Sequence, residues 1–232
     1  EAPATARDRR LALAAARGQV VHHVLEDGVH ADPAAIRTRW AAAARAVAAT
    51  ADELDQGLIR VEAHVAATID ASEVRRALAA PGWSELPFRA THAGVALRGR
   101  IDRLWFDAEA GGHVVLDWKS DALLGRPPDT VADTHAVQVA GYAWAADRVL
   151  VARGAPGVVR TEIVLTERGV VVARPWTDAD RARIPDLLER AADTTARPWD
   201  DVERDAIRAP RPCASCGFRG FGCRGSAHGD EG

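Results

Sequence analysis

Two aspartates and one lysine are the residues of this sequence whose types and spacing are best suited to chemistry. Asp102 lies in the stretch Gly-Arg-Ile-Asp-Arg, and Asp117 and Lys119 lie in Val-Val-Leu-Asp-Trp-Lys. On a strand, side chains at i and i+2 point to the same face, so Asp117 and Lys119 should project together, opposite Trp118. Two carboxylates suit a hard cation such as Mg²⁺, and a nearby ammonium group can stabilise negative charge on a phosphate. The spacing therefore predicts a metal-assisted centre.

A surface ion pair is the alternative interpretation of Asp117 and Lys119, and it would contribute only about 0–1 kcal/mol. Lysine and arginine together number 30, and Lys119 is the single lysine among them. A compact ammonium group is not interchangeable with a planar guanidinium group. Because arginine supplies every other basic side chain of this sequence, the single lysine indicates a position that needs an ammonium group. This contrast, and the apolar run before Asp117, favour the chemical role.

Composition limits the classes of protein to which the chain can belong. Its 232 residues, 47% of them hydrophobic, can form one large domain or two small ones around a sizeable core. The net charge of −3 argues against an overall basic coat, although a local basic groove can coexist with acidic metal ligands. The longest apolar runs are far shorter than the ~20 residues that cross a bilayer, so we expect no membrane partner and no signal peptide. Methionine is absent, even at position 1, so we expect a piece of a longer protein or a processed product.

The expected elements place the two aspartates on neighbouring strands. Helical periodicity predicts a helix over 4–27 and further helices to about residue 80, the second starting at Asp32-Pro33, with a break at Pro81-Gly82. After this helical part, the pattern predicts strands over 85–92, 95–106, 113–120, 158–165 and 170–175, helices over 135–152 and 177–195, and a loop over 121–134. We expect an α/β domain over 1–205, mainly helical over 1–80 with a catalytic sheet core over 83–175. A Cys-rich appendage over 206–232 follows it.

Five short patterns follow one another in a fixed order across residues 18–142. They are Gly18-x-x-x-His22, Glu85-x-Pro87-Phe88, Gly99-x-Ile101-Asp102-Arg103, Asp117-Trp118-Lys119-Ser120 and Gln138-x-x-x-Tyr142. Each pattern is weak alone, but the ordered set resembles the PD-(D/E)xK nuclease superfamily and is similar to its RecB-like branch. The resemblance implies a restriction-endonuclease-like fold, in which helices flank a central mixed sheet.

The resemblance also implies a role for each residue of the centre. His22, Asp102, Asp117 and the backbone carbonyl of Trp118 would bind Mg²⁺ or Mn²⁺, and Lys119 would be the catalytic lysine. Asp102 and Asp117 would share the catalytic role with it.

Other residues of the motifs have two possible roles each. His23 is the rival of His22, and only one of them can face the site because adjacent helical residues differ by about 100°. Gln138 and Tyr142 share a helical face and would line the site or contact DNA, or they would only pack. Glu85 would be a further ligand of the metal or water, or a strand-edge residue with a structural partner.

The function implied is exonucleolytic hydrolysis of DNA phosphodiester bonds. The resemblance places such a domain with a superfamily 1 helicase domain or subunit in double-strand-break repair, and a stand-alone bacterial nuclease is the alternative setting. A catalytically silent DNA-binding or scaffolding module and a zinc-stabilised interaction domain are the rival functions.

Three cysteines, Cys213, Cys216 and Cys223, cluster near the C-terminus. An odd, clustered set indicates a metal site in a reducing compartment, and we expect the bacterial cytoplasm. Several RecB-like nucleases carry a 4Fe-4S cluster on a similar trio, with a first cysteine upstream that this chain lacks, so a fourth ligand would lie outside it. Zinc with His228 as the fourth ligand, or no metal, are the alternatives.

Overall fold

Seven helices and five strands form the part of the chain that the computed structural model describes, residues 6–28 and 30–196. The helices are α1 (Ala6–Glu26), α2 (Pro33–Ala46), α3 (Ala51–Asp70), α4 (Ser72–Ala79), α5 (Pro128–Asp133), α6 (Ala136–Ala152) and α7 (Asp178–Ala196). The strands are β1 (Gly82–His92), β2 (Val95–Asp107), β3 (Gly112–Lys119), β4 (Val158–Leu165) and β5 (Val170–Pro175). Within these described residues, no helix is both long and apolar enough to cross a membrane.

The strands form one mixed sheet in the order β1-β2-β3-β4-β5. Strand β2 pairs with β3 antiparallel, β3 with β4 parallel, and β4 with β5 antiparallel. Parallel neighbours need a long crossover connection, and α5 and α6 lie in that connection between β3 and β4. The mixed five-stranded sheet with flanking helices confirms the α/β class and is consistent with a restriction-endonuclease-like fold.

Two of the helices begin where the sequence pattern predicted them, each at a residue that caps the helix N-terminus. The Asp32 side chain accepts hydrogen bonds from the backbone N–H groups of Ala34 and Ala35, and Pro33 occupies the first turn of α2. Thr177 caps α7: its hydroxyl accepts from the Asp180 N–H while its own N–H donates to the Asp180 carboxylate.

The loop predicted over 121–134 is wrong in its second half, where Pro128–Asp133 forms the short helix α5. The consecutive prolines indicated a break, but proline in the first turn of a helix loses no hydrogen bond. The Pro127-Pro128 pair therefore begins a helix here.

The N-terminal helices and one face of the sheet share a buried core. Trp40 of α2 is buried and donates its indole N–H to the Leu54 carbonyl at 2.7 Å. A Cβ atom at Gly57 of α3 would overlap the Trp40 ring, so the glycine permits this packing. Trp105 of β2 and Trp118 of β3 belong to the same core, which holds α1 against the sheet.

Contacts divide the described chain into two compact units. One contains residues up to 90 together with 97–184, and the other contains 91–96 together with the described residues from 185 onward. The domain boundary expected at residue 205 lies outside the described residues and stays a prediction.

Candidate active site

Asp102 and Asp117 face each other across the β2-β3 pair. The antiparallel register pairs Arg103 with Leu116, and one further step along both strands brings Asp102 opposite Asp117. The two residues are 8% and 1% exposed. The backbone N–H of Trp118 donates to Asp102 Oδ2 at 2.8 Å. The sheet thus holds two carboxyl groups at one buried position.

Lys119 lies on the same strand face as Asp117 and forms an ion pair with it. Lys119 Nζ is 2.5 Å from Asp117 Oδ2, and the lysine side chain is mostly buried. Burial raises the pKa of both aspartates to about 6, against the favourable charge of Lys119. For Asp117, repulsion from Asp102 is the second cause. These are two acidic groups that readily accept either a proton or a cation.

His22 of α1 lies beside Asp102. Its Nδ1 atom is 3.5 Å from Asp102 Oδ2 and 3.9 Å from Glu26 Oε1. Burial lowers the pKa of His22, despite the opposing charge of Asp117 and a hydrogen bond to the Trp118 backbone. A lowered pKa favours the neutral imidazole, which is the form that binds metals. His23, the rival residue, is exposed.

Glu26 lies in the same group of side chains, and sequence reasoning did not single it out. One ligand atom each from His22, Glu26 and Asp102 lies within 4.8 Å of the others. The Glu26 side chain is only 6% exposed, and its Oε1 atom is buried without a hydrogen-bond partner. Burial raises its pKa to about 9, and a hydrogen bond with Glu85 adds to the shift. The i, i+4 spacing from His22 was the available signal.

Glu85 approaches the cluster from β1. Its backbone φ of +51° is left-handed, which is strained for a residue with a side chain. Its carboxylate binds Arg100 Nη1 at 2.8 Å. Burial would raise the pKa of Glu85, but the hydrogen bonds from Glu26 and Arg100 outweigh burial and lower it. Glu85 therefore has a structural partner in Arg100 and also forms a hydrogen bond with Glu26.

A cleft of about 330 Å³ opens along α1 at this site. It is lined by Ala15, Gly18, Gln19, His22, His23, Glu26, Glu85 and Ser120. A Cβ atom at Gly18 would overlap Ser120 Oγ, so the glycine lets α1 approach the residue that follows Lys119. The Gly-x-x-x-His pattern thus has a geometric reason: it sets His22 one turn beyond the closest approach of the two elements.

Gln138 and Tyr142 lie on α6 near the same carboxylates. Gln138 Nε2 donates to Tyr142 Oη at 2.6 Å, and the Tyr142 ring meets Phe88 edge-on at 5.4 Å. Burial raises the pKa of Tyr142, and the charges of Asp117 and Asp102 contribute. The phenol is therefore within electrostatic range of the centre, while Gln138 is exposed. The cysteine trio (Cys213, Cys216, Cys223) and His228 lie outside the described residues.

The donor set fits a divalent cation. Carboxylate oxygens suit Mg²⁺ and Mn²⁺, and an imidazole nitrogen is acceptable to Mn²⁺. The orphaned buried oxygen of Glu26 is a position where a cation would supply the missing partner.

Comparison with known proteins identifies the superfamily of this chain. The family model of the PD-(D/E)XK nuclease superfamily matches residues 2–223. No curated protein matches the chain. The match spans nearly the whole sequence, and it includes both aspartates, the lysine and the helix that carries His22. The chain therefore belongs to the PD-(D/E)XK nuclease superfamily.

Proposed function

We propose that this chain is a metal-dependent DNA nuclease of the RecB-like branch that acts as an exonuclease. One observation carries the proposal: the β2-β3 pair brings Asp102 opposite Asp117, with Lys119 bound to Asp117 and His22 beside Asp102. Superfamily membership implies a nuclease that binds DNA. The RecB-like assignment rests on the five ordered motifs.

The cation would be Mg²⁺ or Mn²⁺, held by His22, Glu26, Asp102 and Asp117 with the Trp118 carbonyl. When bound, the cation supplies Lewis acidity, which activates water and offsets negative charge on the phosphate. The cluster of His22, Glu26 and Asp102 supports the first three ligands. We retain Asp117 because its pKa responds to His22 and Asp102, which places it in the same electrostatic group.

Lys119 is the residue of this chain that acts on the reacting phosphate. Its ammonium group is mostly buried and is held by Asp117, so it is oriented before DNA arrives. A positioned, partly desolvated cation stabilises charge that develops in the transition state. Gln138 and Tyr142 would contact the DNA strand beside it, and Glu85 would orient Glu26 through their hydrogen bond.

The cellular setting is part of the same proposal. We propose a partnership with a superfamily 1 helicase in double-strand-break repair in the bacterial cytoplasm, which is the setting that the resemblance to RecB-like nucleases implies. We also propose that Cys213, Cys216 and Cys223 bind a 4Fe-4S cluster with a fourth ligand from outside this chain. Iron and zinc analysis of anaerobically purified protein distinguishes this cluster from a zinc site with His228. Absence of both metals would reject both the iron–sulfur and the zinc assignment.

The test is cleavage of labelled single- and double-stranded DNA with Mg²⁺, Mn²⁺ or EDTA. Lys119→Ala should reduce the rate by about 10²–10³, the loss typical of a removed transition-state donor. Lys119→Arg should recover little, because a guanidinium group has a different shape and hydration. Arg75→Ala, which removes an exposed cation on α4, is the matched control and should cleave normally.

Each outcome has a defined meaning. Cleavage that requires metal and is abolished in Lys119→Ala supports the proposal. Cleavage that survives the substitution contradicts the assigned centre. DNA binding without cleavage by the wild type, under all metal conditions, favours a catalytically silent module.

A further inference from the structure

Arg17 and Arg60 form a pair of like charges that no carboxylate neutralises in the described part of the chain. Arg17 lies on α1 and Arg60 on α3, and these two helices pack against each other. Arg17 is half-buried, and both burial and the charge of Arg60 lower its pKa. Within residues 8–28 and 30–193, neither arginine has a side-chain hydrogen bond or an ion pair shown by the structure. Positive charge is therefore concentrated here without a protein partner.

Two arginines on the neighbouring helical surface, Arg9 and Arg39, have carboxylate partners. Arg9, two turns before Arg17 on α1, binds the Glu53 carboxylate at 2.7 Å. Arg39 of α2 binds Asp27 at 2.8 Å. Glu167, a carboxylate whose charge acts on His64 in this region, already accepts a hydrogen bond from the Leu123 backbone N–H at 2.6 Å. Arg9 and Arg39 thus each have a carboxylate partner, whereas the described part of the chain shows none for Arg17 and Arg60.

Two interactions tie the arginine pair to the catalytic strand. Gly18, which follows Arg17, lies so close to Ser120 that a Cβ atom would overlap the serine hydroxyl. His64, one helical turn after Arg60, bonds through Nδ1 to Thr166 Oγ1 at 3.0 Å. The Thr166 backbone N–H in turn donates to the Lys119 carbonyl at 2.9 Å. Both helices are thereby fixed against the end of β3 that carries Lys119.

We propose that Arg17 and Arg60 form a phosphate subsite that holds a DNA backbone phosphate beside the cleavage centre. The inference rests on the proposed nuclease function and names the group of the substrate that is held. A guanidinium group binds phosphate oxygens through two parallel hydrogen bonds, and it loses less hydration than an ammonium group does. His64 is a positioning residue, because its bond to Thr166 fixes α3 relative to Lys119.

The first test uses inorganic phosphate, without metal or DNA. Thermal unfolding of the full chain is followed in EDTA with increasing phosphate, against chloride at the same ionic strength. The variants are Arg17→Gln and Arg60→Gln, with Arg75→Gln on α4 as a control that removes the same charge from an exposed helical position. Phosphate should raise the Tm of the wild type and of Arg75→Gln, and should raise it little in the other two variants.

The same variants have a second signature in the absence of phosphate. Removing one of two like charges relieves repulsion, so Arg60→Gln should unfold no more easily than the wild type. An equal phosphate response in all four proteins overturns the inference.

The second test is DNA affinity in EDTA, by fluorescence anisotropy over a range of salt concentrations. Removing one arginine that binds a backbone phosphate should reduce the slope of log K against log salt by about 0.9 for duplex DNA. Arg17→Gln and Arg60→Gln should show this reduction and Arg75→Gln should not. DNA binding with an unchanged slope in both variants rejects the subsite and leaves the nuclease proposal standing. A chain that cleaves no DNA yet retains the phosphate response specific to Arg17 and Arg60 rejects the nuclease proposal and keeps the anion subsite.

Discussion

Glu26→Gln should stabilise the metal-free protein while it weakens metal binding. The Glu26 side chain is 6% exposed, and its pKa is raised from 4.5 to about 9, chiefly by burial. A carboxyl group with a raised pKa in the folded state binds its proton more tightly there than in the unfolded chain. The contribution of Glu26 to stability is therefore most favourable below pH 4.5 and becomes less favourable as pH rises from 4.5 towards 9.

The size of the effect follows from the two pKa values. Between pH 4.5 and pH 7, folding must take up a proton against a rising cost of about 1.4 kcal/mol per pH unit, or about 3 kcal/mol in all. Glutamine has no proton to take up, and its amide N–H can replace the carboxyl O–H as donor to Glu85. In EDTA, the variant should match the wild type near pH 4 and exceed it by up to about 3 kcal/mol at pH 7.

Urea denaturation in EDTA at pH 4, 5.5 and 7 measures this difference. Glu109→Gln, which alters an exposed carboxylate paired with Arg76, is the control and should change stability little at any pH. Mn²⁺ should stabilise the wild type and have a much smaller effect on Glu26→Gln, because the variant lacks a charged ligand. A variant that is less stable than the wild type at pH 7, or a difference independent of pH, would refute the reasoning.

Three further predictions concern the same site. Gly18→Val should lower stability by about 1–3 kcal/mol and reduce cleavage, because its side chain would push α1 away from Ser120; urea denaturation and the DNA assay measure both effects. Asp102 and Asp117 have pKa values raised to about 6, so protons compete with the cation below that pH. Mn²⁺ affinity measured by calorimetry should already fall as pH drops from 9 to 6, where Glu26 takes up its proton, and should fall more steeply below pH 6, by up to about tenfold per pH unit for each bound proton; an affinity independent of pH contradicts the assignment. Gly99→Ala would place a Cβ atom 2.8 Å from the Phe88 ring and 3.1 Å from the Tyr142 ring, so it should weaken DNA binding more than metal binding; equal losses of both would contradict a role for Tyr142 at the DNA.

Much of the fold could be predicted because its signals are local. The hairpin strands β4 and β5 begin and end at the predicted residues, since a turn at Glu167-Arg168-Gly169 separates two β-branched runs. The parallel pairing of β3 with β4 could not be predicted in the same way. It joins residues separated by more than forty positions and depends on how α6 packs, which no local pattern encodes.

The residues of the candidate site also differ in whether a local sequence pattern predicts their position. The juxtaposition of Asp102 and Asp117 follows from a short connection between adjacent strands, so their spacing in the sequence was informative. For Glu26 the only local signal is its i, i+4 spacing from His22, which is weak because glutamate on a helix is common; only the fold shows that this one is buried. The Arg17 and Arg60 pair depends on the packing of α1 against α3, which the sequence pattern does not determine.

Charge balance connects the stability of this site to its chemistry. Without metal, the centre reduces its negative charge in two ways: Glu26 keeps a proton, and Lys119 neutralises Asp117. In the proposed metal-bound state, Glu26 would act as a ligand without its proton and Asp117 would interact less exclusively with Lys119, so the ammonium group would be less fully committed to its carboxylate. Without a cation, the site is thus costly to fold at neutral pH because its acidic groups are buried close together. A neutral residue at position 26 would avoid this cost, so the buried carboxyl group is consistent with the proposed role of Glu26 as a cation ligand.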